Sequence, residues 1–129
     1  MSRSAVLVAG SSNLAFSSEL AKSLNMVLFP ATILRFPDGE CRVLLEDEVV
    51  GKQVFVIQTF GNKPNDCLVE TLLMIDALRR GGAKEIVLVC PYLAYSRQCV
   101  QDRQGVSVAA RLFADFMKKA GVNHLVTMD

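Results

Sequence analysis

Four short polar segments of this chain carry the residue types that hold or transform a charged ligand: Gly10 to Asn13, Phe36 to Glu40, Thr59 to Asp66 and Tyr92 to Asp102. In Arg35-Phe36-Pro37-Asp38-Gly39-Glu40 a cation, an aromatic ring and two carboxylates fall together around a Pro-Asp-Gly turn. Phe36 can stack on a base there, while Asp38 and Glu40 accept hydrogen bonds from an exocyclic amine or a ribose hydroxyl. A turn flanked by solvated charges accounts for the same residues. In Pro91-Tyr92-Leu93-Ala94-Tyr95-Ser96-Arg97-Gln98 the planar fork of Arg97 suits a phosphate, with Gln98 and two tyrosines beside it. A solvated loop arginine is the plain alternative. Gly10-Ser11-Ser12-Asn13 offers amides and hydroxyls to an anion at a helix N-terminus, and equally reads as a simple helix cap. Cys99 and His124 have the chemistry of a nucleophile and a base, but nothing in the sequence places them together. Neither GxGxxG nor GxxxxGK[ST] occurs, which argues against a dinucleotide fingerprint or a Walker A loop.

The elements that must position these segments follow from periodicity. Ser4 to Ala9, Gln53 to Gln58 and Glu85 to Cys90 are nearly continuous apolar runs, as in parallel strands covered on both faces. Ala31 to Phe36 and Cys41 to Glu46 are expected to form a hairpin about Pro37-Asp38-Gly39. Its apolar residues Val43 and Leu45 suit either subunit contacts or the core. Phe16, Leu20 and Leu24 mark a helix ending at Asn25. Leu68, Val69, Leu72, Leu73, Ile75 and Leu78 mark a second helix, capped by an Asn or Asp of the preceding loop and ended by Gly81-Gly82. A third is expected from about Ser107, with Leu112, Phe113, Phe116 and Met117 inward and Gly121 as its stop. His124 to Met128 starts a last strand. This alternation predicts an α/β three-layer sandwich with a mostly parallel sheet and one projecting β-hairpin. In such sheets ligands sit beyond the carboxyl ends of the strands, where the four polar segments lie.

Composition narrows the function. With 129 residues, 51% of them hydrophobic, a single domain is expected. Fourteen Lys and Arg against 13 Asp and Glu give a net charge of +1 with no basic stripe, so nucleic acid is not an expected partner. Cys41, Cys67, Cys90 and Cys99 form no CxxC pair and suit a reduced, cytoplasmic protein. The apolar runs are about a strand long, far short of the ~20 residues that span a bilayer, so no membrane segment is expected.

Taken in order and spacing, Gly10 to Ala15, Arg35 to Glu40, Asn65-Asp66, Glu70 to Arg79, Pro91 to Gln98 and Thr127-Met128-Asp129 resemble the N-terminal domain of the ribose-phosphate pyrophosphokinases along essentially the whole chain. The resemblance implies a phosphoribosyltransferase-like fold and an ATP-binding domain over residues 1–129. It also implies conversion of ATP and ribose 5-phosphate to AMP and phosphoribosyl pyrophosphate with Mg²⁺. By the same resemblance the protein is a homo-oligomer in which the hairpin of one subunit, through Phe36, Asp38, Gly39 and Glu40, serves the adenine pocket of its neighbour. Arg97 and Gln98 then face the nucleotide, and Asp129 belongs to a metal site whose histidine would follow it. The ribose-5-phosphate domain and the catalytic residues match nothing in this chain, so the expectation is a domain cut from a longer enzyme and inactive alone. Arg97-Gln98 is followed here by Cys99-Val100, where the family usually has Asp and a basic residue, in a loop about two residues short. That departure keeps a non-catalytic regulatory or associated subunit as the alternative, with a generic flavodoxin-like binding module behind it.

Overall fold

The computed structural model describes residues 4–61 and 63–128. Ten elements follow one another: β1 (Ala5–Ala9), α1 (Leu14–Leu24), β2 (Leu28–Phe29), β3 (Ala31–Arg35), β4 (Cys41–Leu45), β5 (Gln53–Ile57), α2 (Pro64–Arg80), β6 (Glu85–Cys90), α3 (Ala109–Ala120) and β7 (His124–Thr127). Five strands form a parallel sheet in the order β2-β1-β5-β6-β7, and β3 and β4 form a separate antiparallel pair.

Alternate residues of a strand face opposite sides, and each side meets its own helices. Val6, Val8, Val54, Val56, Ile86, Leu88 and Cys90 pack with Met74, Ile75 and Leu78 of α2 and Met117 of α3. Leu7 and Ile57 pack on the opposite side with Ala21 of α1, flanked by Phe16 and Leu20. The layers are therefore helix, sheet, helix, as the alternation of elements predicts. The hairpin lies outside the main sheet, with Ala31, Ile33, Val43 and Leu45 against the core and Leu34 and Leu44 exposed. Val43 and Leu45 are thus half-buried on the hairpin's inner face.

Several local expectations are corrected. β2 was not anticipated, because a two-residue parallel edge strand stopped by Pro30 leaves no periodic trace. In α1 the buried positions are Ser17 and Ala21, and Leu24 is exposed. In α2 the buried residues are Cys67, Leu68, Glu70, Thr71, Met74, Ile75 and Leu78, so Leu68, Ile75 and Leu78 face inward as expected while Val69 is exposed, since a run of neighbouring apolar residues wraps around the helix. That helix starts from Lys63 with Pro64 in its first turn and no side-chain cap, not from an Asn or Asp. α3 begins at Ala109 and turns Ala109 and Met117 inward with Phe113 packed beside them, while Leu112 and Phe116 are exposed. At its end Arg79 of α2 donates to the carbonyls of Lys119 and Ala120 at 3.2 and 3.0 Å, satisfying acceptors that a helix terminus leaves open.

Candidate functional site

The carboxyl ends of β1 and β5 meet at a close backbone approach. The Gly10 amide donates to the Ile57 carbonyl at 2.8 Å, and a Cβ on Gly10 would lie 2.3 Å from Oε1 of Gln58. Gly10 therefore leaves room for Gln58, whose side chain runs between the strand ends. Oε1 of Gln58 accepts from Ser12 Oγ at 2.5 Å, and its Nε2 donates to Glu70 Oε2 at 2.7 Å and Thr71 Oγ1 at 3.2 Å. Ser12 Oγ accepts in turn from the amide and hydroxyl of Thr59.

Glu70 stands in the buried row of α2. Its Oε1 accepts from Ser11 Oγ at 2.5 Å and Arg35 Nη2 at 2.9 Å, and its Oε2 accepts from the Ser11 amide and Gln58 Nε2, each at 2.7 Å. Glu70 is 0% exposed and Arg35 37%. No buried side-chain nitrogen or oxygen among the described residues lacks a partner, as a polar cluster in a low-dielectric interior requires. Ser11 is thus committed to Glu70, and Asn13 caps α1 by accepting from the Phe16 amide at 3.0 Å. The Gly10 to Asn13 segment is a cap and a strut, not an open anion cradle.

Above this network lies a cleft of about 580 Å³ lined by Ser11, Ser12, Arg35, Gly39, Lys63 and Asp66, among others. Gly39 brings the hairpin loop to its edge, and in that loop the Gly39 amide donates to the Phe36 carbonyl and the Phe36 amide to the Glu40 carbonyl, both at 2.8 Å. Gly39, at φ 97°, takes the left-handed position that follows such a turn. Asp38 Oδ1 accepts from the Glu40 amide at 2.9 Å, so part of that carboxylate shapes its own loop. Phe36 is 44% exposed at the tip.

A second cleft of about 290 Å³ opens at the end of β6, lined by Pro64, Tyr92, Ala94, Tyr95, Arg97 and Gln98, and it shares Gly61 with the first. Tyr95 has φ 69°, a left-handed backbone that a side chain adopts only when its surroundings enforce it. Its ring meets Phe113 edge to face at 4.4 Å, and its hydroxyl donates to Asn65 Oδ1. The Gln98 carbonyl accepts from the Ala110 amide at 3.1 Å, closing one open donor of the first turn of α3. The backbone of the loop is fixed in this way, while Arg97 and Gln98 are exposed.

Arg97 and Gln98 thus share one cleft. Gly39 lines the other, and Phe36, Asp38 and Glu40 line neither. Asp129 lies outside the described residues, and among those described no group of three or more His, Cys, Asp or Glu is placed to hold a metal. Cys99 is exposed on its loop, while His124 Nε2 lies 3.5 Å from Glu85 on the neighbouring strand. Nothing brings that pair together as a catalytic unit. Burial pushes the Cys67 thiol up, with the Glu70 carboxylate adding to it. Cys41 is raised chiefly by burial too, with Arg35 opposing, and burial alone pushes Cys90 to about 12.

Sequence reasoning missed the Gln58, Glu70, Ser12 and Thr71 cluster. One signal was available: Cys67, Glu70, Met74 and Leu78 follow helical spacing, so a carboxylate falls in the middle of a row that must be buried.

These features define a class, the open parallel α/β domains that offer polar clefts beyond their strand ends. Residues 5–121 match the family model described as the N-terminal domain of ribose phosphate pyrophosphokinase, and the chain belongs to that family. A ribose-phosphate pyrophosphokinase of Aquifex aeolicus is 42% identical over 123 residues, 95% of this chain and 40% of the relative. One from Wolinella succinogenes is 41% identical over 120 residues, 93% of this chain and 39% of the relative. The crystal structure of phosphoribosylpyrophosphate synthetase from Mycobacterium smegmatis superposes with a TM-score of 0.95 at 35% identity, covering 98% of this chain and 43% of that one. The chain therefore spans about 40% of the length of the curated relatives it matches.

Proposed function

We propose that this chain is the ATP-binding, N-terminal part of a cytoplasmic ribose-phosphate pyrophosphokinase. In that reaction the anomeric oxygen of ribose 5-phosphate bonds to the β-phosphorus of ATP. The bond from that phosphorus to the α,β-bridging oxygen breaks, AMP leaves with the bridging oxygen, and the hydroxyl proton passes to solvent. The observation that carries the reading is the near-complete superposition on the Mycobacterium smegmatis synthetase, with Arg97 and Gln98 at a strand-end cleft.

In this reading Arg97 offers its fork to the nucleotide phosphates and offsets their charge. Mg²⁺ enters as part of the substrate, carried on ATP. Phe36, Asp38 and Glu40 line neither cleft of their own chain, which supports their acting on the nucleotide of a neighbouring subunit, with Phe36 on the adenine. A homo-oligomer and a second domain holding ribose 5-phosphate then complete the enzyme. A coupled assay of AMP formation from ATP and ribose 5-phosphate with Mg²⁺ tests this on the natural protein and on residues 1–129 side by side. Turnover in the natural protein alone is expected; silence in both, with the fold intact, refutes the enzymatic reading.

Silence in both would favour a non-catalytic associated subunit, a reading supported by Cys99 and Val100, which are exposed directly after Arg97 and Gln98, Val100 at 67%. Cys99→Asp with Val100→Lys in the natural protein separates the two. Strong rescue of a weak activity supports degeneration, and full activity before any change dismisses it.

A further inference from the structure

Among the described residues Glu70 is the one charged side chain that is fully buried. It belongs to α2, yet its four hydrogen bonds all leave that helix, two to Ser11 after β1, one to Gln58 after β5 and one to Arg35 at the end of β3. A carboxylate has about four lone-pair sites, so its accepting capacity is consumed within the protein. No acceptor position remains for a substrate proton, which leaves Glu70 a mechanical role.

Arg35 immediately precedes Phe36. The loop beyond it is closed on itself by the Phe36 to Glu40, Gly39 to Phe36 and Glu40 to Asp38 hydrogen bonds. None of these fixes the tip relative to the main sheet, and the inner-face packing of Ile33 and Val43 lies further down the strands. Among the described residues, the ion pair from Arg35 to Glu70 is the polar tie between the hairpin tip and the strand ends.

We propose that Glu70 is a positioning residue: by holding Arg35 while bound to the ends of β1 and β5, it sets where Phe36, Asp38 and Glu40 are presented to a nucleotide. The inference rests on the nucleotide reading of the hairpin given above. It has one structural consequence that stands apart from activity, because releasing Arg35 should loosen the tip and leave the sheet intact.

The test compares Arg35→Gln and Arg35→Lys in the natural protein by hydrogen exchange and steady-state kinetics. Glu70→Gln is the more direct change but risks the fold, whereas Arg35→Gln leaves Glu70 its bonds from Ser11 and Gln58. Arg35→Gln is expected to speed exchange over residues 34–41 by about tenfold or more, the scale of a hydrogen bond to a charged group, with β1 and β5 still protected. The KM for ATP should rise about tenfold with kcat within about twofold, and Arg35→Lys should restore most of both. A pair that only stabilises the fold would raise exchange throughout the domain and would not split KM from kcat. Unchanged exchange at the tip overturns the inference, and so does faster tip exchange with an unchanged KM. A wild-type protein that makes no AMP refutes the enzymatic reading instead, and the exchange data still decide whether Glu70 holds the tip.

Discussion

The two clefts at the strand ends are built on opposite plans. Under the larger, Ser11, Ser12, Gln58, Thr59, Glu70 and Thr71 satisfy one another, and the cation nearest them, Arg35, is already paired. In the smaller, the loop backbone is held by Tyr95, Phe113 and the first turn of α3, while the Arg97 guanidinium is exposed with no hydrogen bond or ion pair among the described residues. The first therefore commits its polar groups to fixing geometry, and the second leaves Arg97 and Gln98 exposed at the cleft. Removing a group from a closed network orphans its neighbours. Removing a free cation costs the fold little, and its loss is felt in binding.

Gly10→Ala is the sharpest attack on the closed side. Its Cβ would meet Gln58 at 2.3 to 2.4 Å on three atoms, and Gln58 cannot yield without releasing Glu70, Ser12 and Thr71. A loss of about 2 kcal/mol is expected from this overpacking, read as a lower urea midpoint at unchanged slope. An unchanged midpoint would mean that the network is soft and the contrast between the clefts false. Arg97→Ala attacks the open side. Stability should stay within about 0.5 kcal/mol, while the KM for ATP in the natural protein rises about 10- to 100-fold, the worth of a charge-assisted contact to phosphate. A large drop in stability would place Arg97 in the framework instead.

The same contrast explains what was legible in the sequence. Buried parallel strands announce themselves as apolar runs, so β1, β5 and β6 are readable, and Pro37-Asp38-Gly39 fixes the hairpin loop through φ restrictions that belong to those residues alone. The position of Arg97 and Gln98 at a strand-end cleft was also readable, because a polar segment that follows a strand of an open α/β sheet falls where that fold opens its clefts. Glu70 was not, since its role depends on Arg35, Ser11 and Gln58 arriving from three other elements 35, 59 and 12 residues away. No local pattern encodes that meeting. The exposure of Leu112 and Phe116 was missed for a related reason: helical periodicity marks several apolar faces on α3, and tertiary packing selects the one carrying Phe113 and Met117.

The cysteines place one thiol on each side of the comparison. Cys67 is buried in the α2 row beside the network, and burial together with Glu70 raises its pKa; Cys99 is exposed on the Arg97 loop. Because the thiolate is the reactive form, a water-soluble disulfide reagent at neutral pH should label Cys99 first. Cys41, raised mainly by burial, should follow, with Cys67 and Cys90 reacting on the timescale of unfolding. The linkage has a definite sign. Above the ordinary thiol value of 9.0 the unfolded chain loses protons that folded Cys90, at about 12, still holds, so stability is full below that pH and falls as pH rises towards 12. Cys90→Ala should flatten this alkaline loss. Rapid labelling of Cys67 in the native protein would show that the floor of the larger cleft opens to solvent, and the distinction between a closed framework and an open site would fail there.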